Sequence, residues 1–223
     1  MANAKPLLTA LVAALVISWL ADAQPARVDV PGGPVPIDIL AQSPAETQTD
    51  LQVICLFRSS TANTLHGSLV ETNEKLKGLL DRVRQPELFR GELGETLLIA
   101  PPNESSGAKR LLIIGLGDSE TFSTKRMELV GEVLFMEASR LGVAHPFFAP
   151  TILDGGVTKF TTGEVAEQVI NGFLRAVRTD RVLRDASSGA GQPVSGLTYL
   201  AGQKNVSSTQ EGIERAISAV TRK

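Results

Sequence analysis

Short apolar runs alternate along the chain with longer stretches whose apolar residues recur every three or four positions. The runs predict strands and the spaced stretches predict amphipathic helices, because these periods match the two backbone geometries. The predicted order is strand, strand, helix, strand, strand, helix, strand, helix, strand, helix. Apolar strands that alternate with helices are typical of an α/β fold, in which helices cover both faces of a mostly parallel sheet.

The predicted strands cover residues 37–40, 51–57, 95–100, 110–115, 146–151 and 194–201. The first helix is predicted over residues 67–83, and the second follows a cap at Ser123 or Thr124. Two Ser/Thr-x-x-Glu patterns predict capping boxes for the last two helices, with Thr161 and Ser208 as the capping residues. The prolines of 146–151 predict an edge strand or a strand end.

The first 23 residues have the pattern of a secretory signal peptide. Lys5 supplies a positive charge, residues 7–20 form a 14-residue run without charge, and Ala21-Asp22-Ala23 supplies small residues at a cleavage site. The run is shorter than the roughly 20 residues that span a bilayer. We therefore expect cleavage after Ala23, export to the periplasm or the exterior, and no membrane association afterwards.

Residues 24–36 contain four prolines and two glycines, which predicts a flexible arm. Residues 37–223 then form one domain, since the remaining length suits a single core.

The net charge of −2 argues against general nucleic-acid binding, which needs a basic surface. A single cysteine, Cys55, excludes an internal disulfide and any multi-cysteine zinc site, and its apolar surroundings predict a buried thiol.

Catalytic motifs are missing from the sequence. His66 and His145 do not lie in His-Glu-x-x-His spacing, and neither Gly-x-Ser-x-Gly nor a Walker-type phosphate loop occurs. We predict no cofactor and no metal site. A hydrolase would have to use Asp118 or Asp154, which follow predicted strands, to activate water. His66 is either a base or, as we favour, a solvated or capping residue.

Two glycine turns are candidates for contact with a small anionic ligand. They are formed by Gly115, Leu116, Gly117 and Asp118, and by Gly155 and Gly156. Glycines allow close backbone approach, and ligands of α/β sheets bind beyond the carboxyl ends of strands. The acidic side chains beside the first turn oppose a phosphate, so a plain tight turn is the alternative that we favour.

Four arginines recur every three residues in the third predicted helix: Arg175, Arg178, Arg181 and Arg184. A stripe of this kind is a candidate docking surface for a partner. The alternative, which we favour, is that these cations complement the carboxyl end of the helix and are otherwise solvated.

Three segments resemble the N-terminal domain of leucyl aminopeptidases, peptidase family M17. They are LQVICLF with GSLVETNEKLKG and FRGELGETLLIAPP, then KRLLIIGLGDSETFSTKRMELVGEVLFMEASRLGVAHPFFAP, and then TTGEVAEQVINGFLRAVRT. The resemblance implies a macro-domain-like fold, with a mixed central sheet between helices in three layers. In that family a separate catalytic domain binds two metal ions and carries Asn-Thr-Asp-Ala-Glu-Gly-Arg. This motif does not occur here, so no catalytic or metal-binding role is carried over to any residue.

The resemblance leaves three functions open. The first is a non-catalytic module that binds a protein partner, such as a peptidase, or self-associates. The second is a macro-domain-type binder of ADP-ribose or another small anion, through the two glycine turns. The third is a hydrolase, which the sequence supports least. We expect the chain to be a stand-alone, exported relative of the accessory domain.

Overall fold

The computed structural model describes residues 25–59, 64–85, 88–101 and 107–222. The predicted signal peptide and its cleavage site lie outside these residues. Within the described ranges, no helix combines the length and apolar character needed to cross a bilayer.

The described residues form seven strands and five α-helices. The strands are β1 (Arg27–Val30), β2 (Ile37–Leu40), β3 (Gln52–Leu56), β4 (Thr96–Ile99), β5 (Leu111–Gly115), β6 (Phe147–Ala149) and β7 (Leu197–Leu200). The helices are α1 (Gly67–Lys75), α2 (Leu79–Val83), α3 (Arg126–Arg140), α4 (Thr162–Asp185) and α5 (Val206–Thr221). A 3-10 turn, Gln203–Asn205, precedes α5.

One sheet contains all seven strands in the order β1-β2-β7-β6-β3-β5-β4. The five inner strands are parallel, and the two edge strands β1 and β4 run antiparallel to their neighbours. The sheet is therefore mixed and mostly parallel, as predicted. Strands β3 and β5 are buried along their whole length, which explains why their sequences are apolar apart from Gln52.

Helices cover both faces of the sheet. The larger core joins one face of the sheet to α3, α4 and α5, and includes Cys55, Phe148 and Phe173. The smaller core joins the other face to α1 and α2, and includes Ile54 and Leu80. This arrangement confirms the three-layer prediction. Cys55 is fully buried, and this burial raises the pKa of its thiol.

Of the two alternatives predicted from the prolines of 146–151, strand β6 confirms the strand end and contradicts the edge strand. It lies inside the sheet, between β3 and β7. Pro146 and Pro150 flank the three residues of the strand, so neither removes a hydrogen-bond donor from it. The prolines therefore limit the length of the strand and do not determine its place in the sheet.

The helix boundaries in the structure also differ from those predicted from the sequence. The helix predicted over 67–83 is two helices, because Lys77 and Gly78 adopt left-handed backbone conformations with φ of 53° and 75°. The capping box at Thr161 is confirmed. The box predicted at Ser208 is wrong, since α5 already begins at Val206. Helix α3 has Lys125 at its cap position in place of Ser123 or Thr124.

Part of the predicted flexible arm belongs to the sheet. Strand β1 pairs with β2 over four residues, and Val30 is buried in the larger core. A polar cluster around the buried residues Asp38 and Thr198 also ties β1 to the inner strands. Arg27 donates hydrogen bonds to Asp38 (2.7 Å) and Thr198 (3.0 Å), and the Nε2 atom of His145 lies 2.9 Å from the Thr198 hydroxyl.

We expect Asp38→Asn to destabilise the protein by about 2 kcal/mol at neutral pH, because it removes a charge-assisted hydrogen bond. Burial raises the pKa of Asp38, but hydrogen bonds from His145 and Arg27 outweigh burial and hold it below its ordinary value. A lowered folded-state pKa stabilises the protein above the unfolded-state pKa, near 3.9, and the contribution disappears as the pH falls through the folded-state value.

Urea denaturation at a series of pH values tests this prediction. The difference between the wild type and Asp38→Asn should be full at about pH 6 and shrink below about pH 4. The matched control is Asp29→Asn, at the exposed position opposite Asp38 in the same strand pair. A pH-independent difference would contradict the assigned role of the Asp38 carboxylate.

Candidate functional site

A cavity of about 350 Å³ lies at the carboxyl ends of β6 and β7. Parallel strands end at the same edge of a sheet, so the loops that follow β2, β6 and β7 meet there. The starts of α1, α4 and α5 complete the wall. Pro150, Phe160 and Val165 are among the apolar lining residues.

Two unpartnered hydroxyl groups belong to residues that line this cavity. Tyr199 and Thr209 are each 1% exposed, and neither hydroxyl has a hydrogen-bond partner among the described residues. The Tyr199 ring packs edge-on against Phe148, with the centroids 5.5 Å apart. Burial, with a smaller contribution from Cys55, raises the pKa of Tyr199 well above its ordinary value, so the group stays a neutral hydroxyl.

The α1 side of the cavity is acidic. Asp154 accepts a hydrogen bond from the Ser68 hydroxyl, and Glu71 accepts one from the Ser43 hydroxyl at 2.8 Å. Burial raises the pKa of Asp154 above its ordinary value, although the hydrogen bonds from Ser68 act in the opposite direction. This side of the cavity therefore favours ligand groups that donate hydrogen bonds.

The amino ends of two helices contribute positive partial charge to another part of the wall. The amino ends of α4 and α5 both reach the cavity, and the exposed Lys204 lies in the 3-10 turn that leads into α5. At α4, Thr161 and Glu164 already form the capping box. At α5, no side chain caps the first turn and no acidic residue lies in it. This side therefore favours a ligand with negative charge.

The turn at Gly115–Asp118 lies elsewhere and has a different role. Gly115, Leu116 and Gly117 are buried, and their N–H groups donate to the carbonyl oxygens of Glu95, Leu56 and Gly91 at 2.8–2.9 Å. The Asp118 carboxylate accepts a hydrogen bond from the Glu120 N–H group at 2.7 Å. The fold therefore already uses these three amides, and contact of this turn with an anion stays a prediction.

The second glycine turn lies beside the cavity without lining it. Gly155 is buried against the Phe57 ring, and its N–H group donates to the Thr151 carbonyl oxygen at 3.0 Å. Gly156 is exposed, and its N–H group donates to the Leu153 carbonyl oxygen at 3.0 Å. The cavity wall is formed by the residues just before these two glycines, which include Asp154.

The four arginines of α4 are also engaged within the chain. Arg175 forms ion pairs with Glu128 and Glu132 of α3, at 2.8 and 2.6 Å. Arg184 forms an ion pair with Asp180 at 2.6 Å, one turn earlier in the helix. The other two reach backbone oxygens: Arg178 that of Val220, and Arg181 that of Pro34. All four therefore have partners within the fold, and their role as a docking surface stays a prediction.

Of the two aspartates considered for hydrolysis, Asp154 lines the cavity and Asp118 does not. Among the described residues, no group of three or more histidine, cysteine, aspartate and glutamate side chains is placed to hold a metal ion.

Tyr199 and Thr209 were not identified as candidate site residues from the sequence. The signal for Tyr199 was the one tyrosine of the chain, in an otherwise apolar predicted strand. Thr209 gave no signal of its own.

The model of the cytosol aminopeptidase family's N-terminal domain matches residues 53–183, which is more than half of the chain. The chain belongs to the cytosol aminopeptidase family. The matched part of the family is its N-terminal domain, which is distinct from the catalytic domain. A probable cytosol aminopeptidase of Burkholderia thailandensis is 39% identical over 64 residues, 29% of this chain. That stretch spans 12% of the relative's length.

Solved structures show the fold of this family member. A tomato leucine aminopeptidase superposes with a TM-score of 0.58 and 17% identity, over 89% of this chain and 38% of that one. An Oceanobacillus iheyensis macrodomain with ADP superposes with a TM-score of 0.60 and 13% identity, over 87% of this chain and 98% of that one. At such identities the likeness shows the fold, which is the macrodomain fold that the sequence resemblance implied.

Proposed function

We propose that this domain is a non-catalytic module that binds a small anionic ligand of the ADP-ribose type in the strand-end cavity. The observation that carries the proposal is that two residues lining the cavity, Tyr199 and Thr209, each have a buried hydroxyl without a hydrogen-bond partner among the described residues. A buried hydroxyl without a partner costs about 1–3 kcal/mol. A bound ligand that hydrogen-bonds to these groups would recover part of that free energy.

Charge and size support this class of ligand. Lys204 and the uncapped start of α5 favour an anionic group on one side. Asp154 and Glu71 favour a hydrogen-bond donor, such as a base amino group or a sugar hydroxyl, on the other. The volume of about 350 Å³ lies at the lower end of the range for small-molecule sites. The macrodomain of Oceanobacillus iheyensis, which has the same fold, was solved with ADP.

Thermal unfolding with ADP-ribose, and separately with ADP, tests the proposal. A ligand at 100 times its Kd adds about 2.7 kcal/mol of stability. For a domain of this size, we expect an increase in Tm of roughly 5–10 °C. The absence of a shift with either compound at millimolar concentration would overturn the proposal.

Tyr199→Phe should affect the free and the bound protein in opposite directions. Without ligand, it removes an unpartnered hydroxyl, so the free energy of unfolding should rise by about 1 kcal/mol. With ADP-ribose, it removes a hydrogen bond, so the Kd should rise about fivefold. Urea denaturation and isothermal titration calorimetry measure the two effects.

Thr209→Val tests the second hydroxyl in the same way. Without ligand the free energy of unfolding should rise, and the Kd for ADP-ribose should also rise. Its matched control is Thr96→Val, at an exposed position of β4 that does not line the cavity, and neither quantity should change there. If Tyr199→Phe and Thr209→Val both leave the Kd unchanged, the hydroxyls do not contact the ligand.

A second candidate function is binding of a protein partner, which a groove between α3 and α4 favours. The groove has a volume of about 420 Å³ and is lined by Phe135, Met136, Ala176 and Leu183. Met136 and Leu183 are each 44% exposed, and apolar patches of this kind mark interaction surfaces. The partner that we propose is the catalytic part of a family aminopeptidase, because the tomato enzyme carries this fold as 38% of a longer chain.

Sedimentation velocity with the Burkholderia thailandensis aminopeptidase tests this second function. We expect co-sedimentation, which Met136→Lys should abolish. Val70→Lys, a similar change at a 37% exposed position of α1 outside the groove, is the control. Independent sedimentation of the two proteins would reject this partner.

A further inference from the structure

Thr151, the second residue after β6, has a backbone conformation that is unusual for its residue type. Its φ is 49°, which lies in the left-handed region. A β-branched residue rarely adopts this region, and it stays there only where surrounding contacts enforce the conformation, often at a binding site. Thr151 is one of the residues that line the strand-end cavity. The contacts that enforce its conformation therefore also shape the cavity.

The Thr151 hydroxyl bonds to both backbone polar groups of Cys55. It accepts a hydrogen bond from the Cys55 N–H group at 2.9 Å and donates one to the Cys55 carbonyl oxygen at 2.6 Å. The pairing of β3 with β6 ends at Ile54 and Ala149, one residue before Cys55. Cys55 is fully buried, so its backbone groups need partners within the protein. The Thr151 side chain supplies both partners, and these bonds hold its backbone in the left-handed conformation.

A second set of contacts fixes the other end of the turn that Thr151 begins. The Gly155 N–H group donates to the Thr151 carbonyl oxygen at 3.0 Å, which closes the turn over residues 151–155. A Cβ atom at Gly155 would lie 2.6 Å from the Phe57 ring, so the chain passes directly against the residue that follows β3. The 151–155 turn is therefore held against the end of β3 at both of its ends.

The N–H groups in the middle of this turn are not used by the fold. In the part of the chain that the structure describes, those of Ile152, Leu153 and Asp154 donate no hydrogen bond to another residue. All three residues line the cavity. Ile152 is 4% exposed, and the N–H group of so buried a residue is normally paired. Successive N–H groups of a turn that contains a left-handed residue form a concavity that suits an anion.

We propose that Thr151 is a positioning residue of the cavity: its hydroxyl holds the 151–155 turn to the end of β3, and the N–H groups of the turn are thereby available to an anionic group of the ligand. This inference rests on the proposed binding function. Without the hydroxyl, the left-handed conformation of a β-branched residue is no longer compensated, and Thr151 returns to a negative φ. The N–H groups that follow it then change direction, and the ligand loses hydrogen bonds.

Thr151→Val tests this proposal, because valine keeps the shape of the side chain and lacks the hydroxyl. Isothermal titration calorimetry with ADP-ribose should show a Kd that is raised about tenfold or more. Thr151→Ser keeps the hydroxyl and should restore a Kd within about twofold of the wild type. The matched control is Ser139→Ala. Ser139 and Thr151 are both 7% exposed, but the Ser139 hydroxyl donates to the Gln192 carbonyl oxygen at 2.8 Å and does not line the cavity. The control should lower the Tm and leave the Kd unchanged.

Hydrogen exchange without ligand provides a second readout. The N–H groups of Cys55 and Gly155 both bond to Thr151, so both should exchange faster in Thr151→Val than in Thr151→Ser or the wild type. If Thr151→Val does not fold, Thr151→Gly replaces it, because glycine adopts a positive φ without strain and also lacks the hydroxyl. A hydroxyl-free variant that binds ADP-ribose with the wild-type Kd would overturn this inference alone. A wild type that does not bind ADP-ribose would overturn the proposed function, and this inference with it.

Discussion

Gly172→Ala is expected to lower the free energy of unfolding by about 3 kcal/mol. Helices α3 and α4 approach each other through glycines. A Cβ atom on Gly172 would lie well inside van der Waals contact with the Glu128 carbonyl oxygen, and one on Gly131 would do the same with that of Val169. Both contacts are with backbone atoms, which cannot rotate away as a side chain can. The helices would have to separate, and the core between them would loosen.

Urea denaturation measures this effect, and Gly202→Ala is the matched control. Gly202 has φ of −64°, and the nearest heavy atom to an added Cβ would be the Asn205 side-chain nitrogen at 3.7 Å. The control should therefore stay within about 0.5 kcal/mol of the wild type. A loss below 1 kcal/mol for Gly172→Ala would show that the helix pair adjusts freely. Because α4 contributes to both the cavity and the α3–α4 groove, this contact positions both candidate surfaces.

Gly115→Ala should cost a similar amount, about 3 kcal/mol, without weakening ligand binding. A Cβ atom at Gly115 would collide with the Glu92 carbonyl oxygen and with the backbone of Gly91. The loop that packs there also contributes Glu95, whose carbonyl oxygen accepts the Gly115 N–H group. The substitution would displace that loop from the end of β5.

Paired measurements separate a packing role from a binding role for this turn. Thermal unfolding should show a lower Tm for Gly115→Ala, while calorimetry with ADP-ribose at a temperature where the variant is folded should give the wild-type Kd. A stable variant with a greatly raised Kd would place the ligand at this turn. That result would contradict both its assignment to packing and the choice of the strand-end cavity.

Apart from β1 and the division between α1 and α2, the order of elements was predictable from local pattern, because periodicity reflects which side of each element is buried. Strands β3 and β5 illustrate this: they are buried on both faces, so their sequences are apolar apart from Gln52. The capping box at Thr161 is equally local, since all its atoms lie within four residues. The family was also recognisable at this level, from segments that the family model matches.

The position of a strand within the sheet was harder to predict from the sequence. The prolines around β6 are compatible with an edge strand, yet its neighbours β3 and β7 come from distant parts of the chain. Arg27 illustrates the same limit, because its partner Asp38 depends on how β1 folds back onto β2. The arginines of α4 form a regular stripe in the sequence, and only the packing of α3, α5 and the segment after β1 shows their partners.

The sequence by itself determined the α/β class, the alternation of strands and helices, the burial of Cys55 and the resemblance to one family. These properties depend on the composition and spacing of neighbouring residues. Only the tertiary structure decided that the Gly115 turn serves packing, and that Tyr199 and Thr209 line one cavity. The physical reason is that hydrogen-bond satisfaction is not local: whether an amide or a hydroxyl has a partner depends on chain segments that are brought together only by folding.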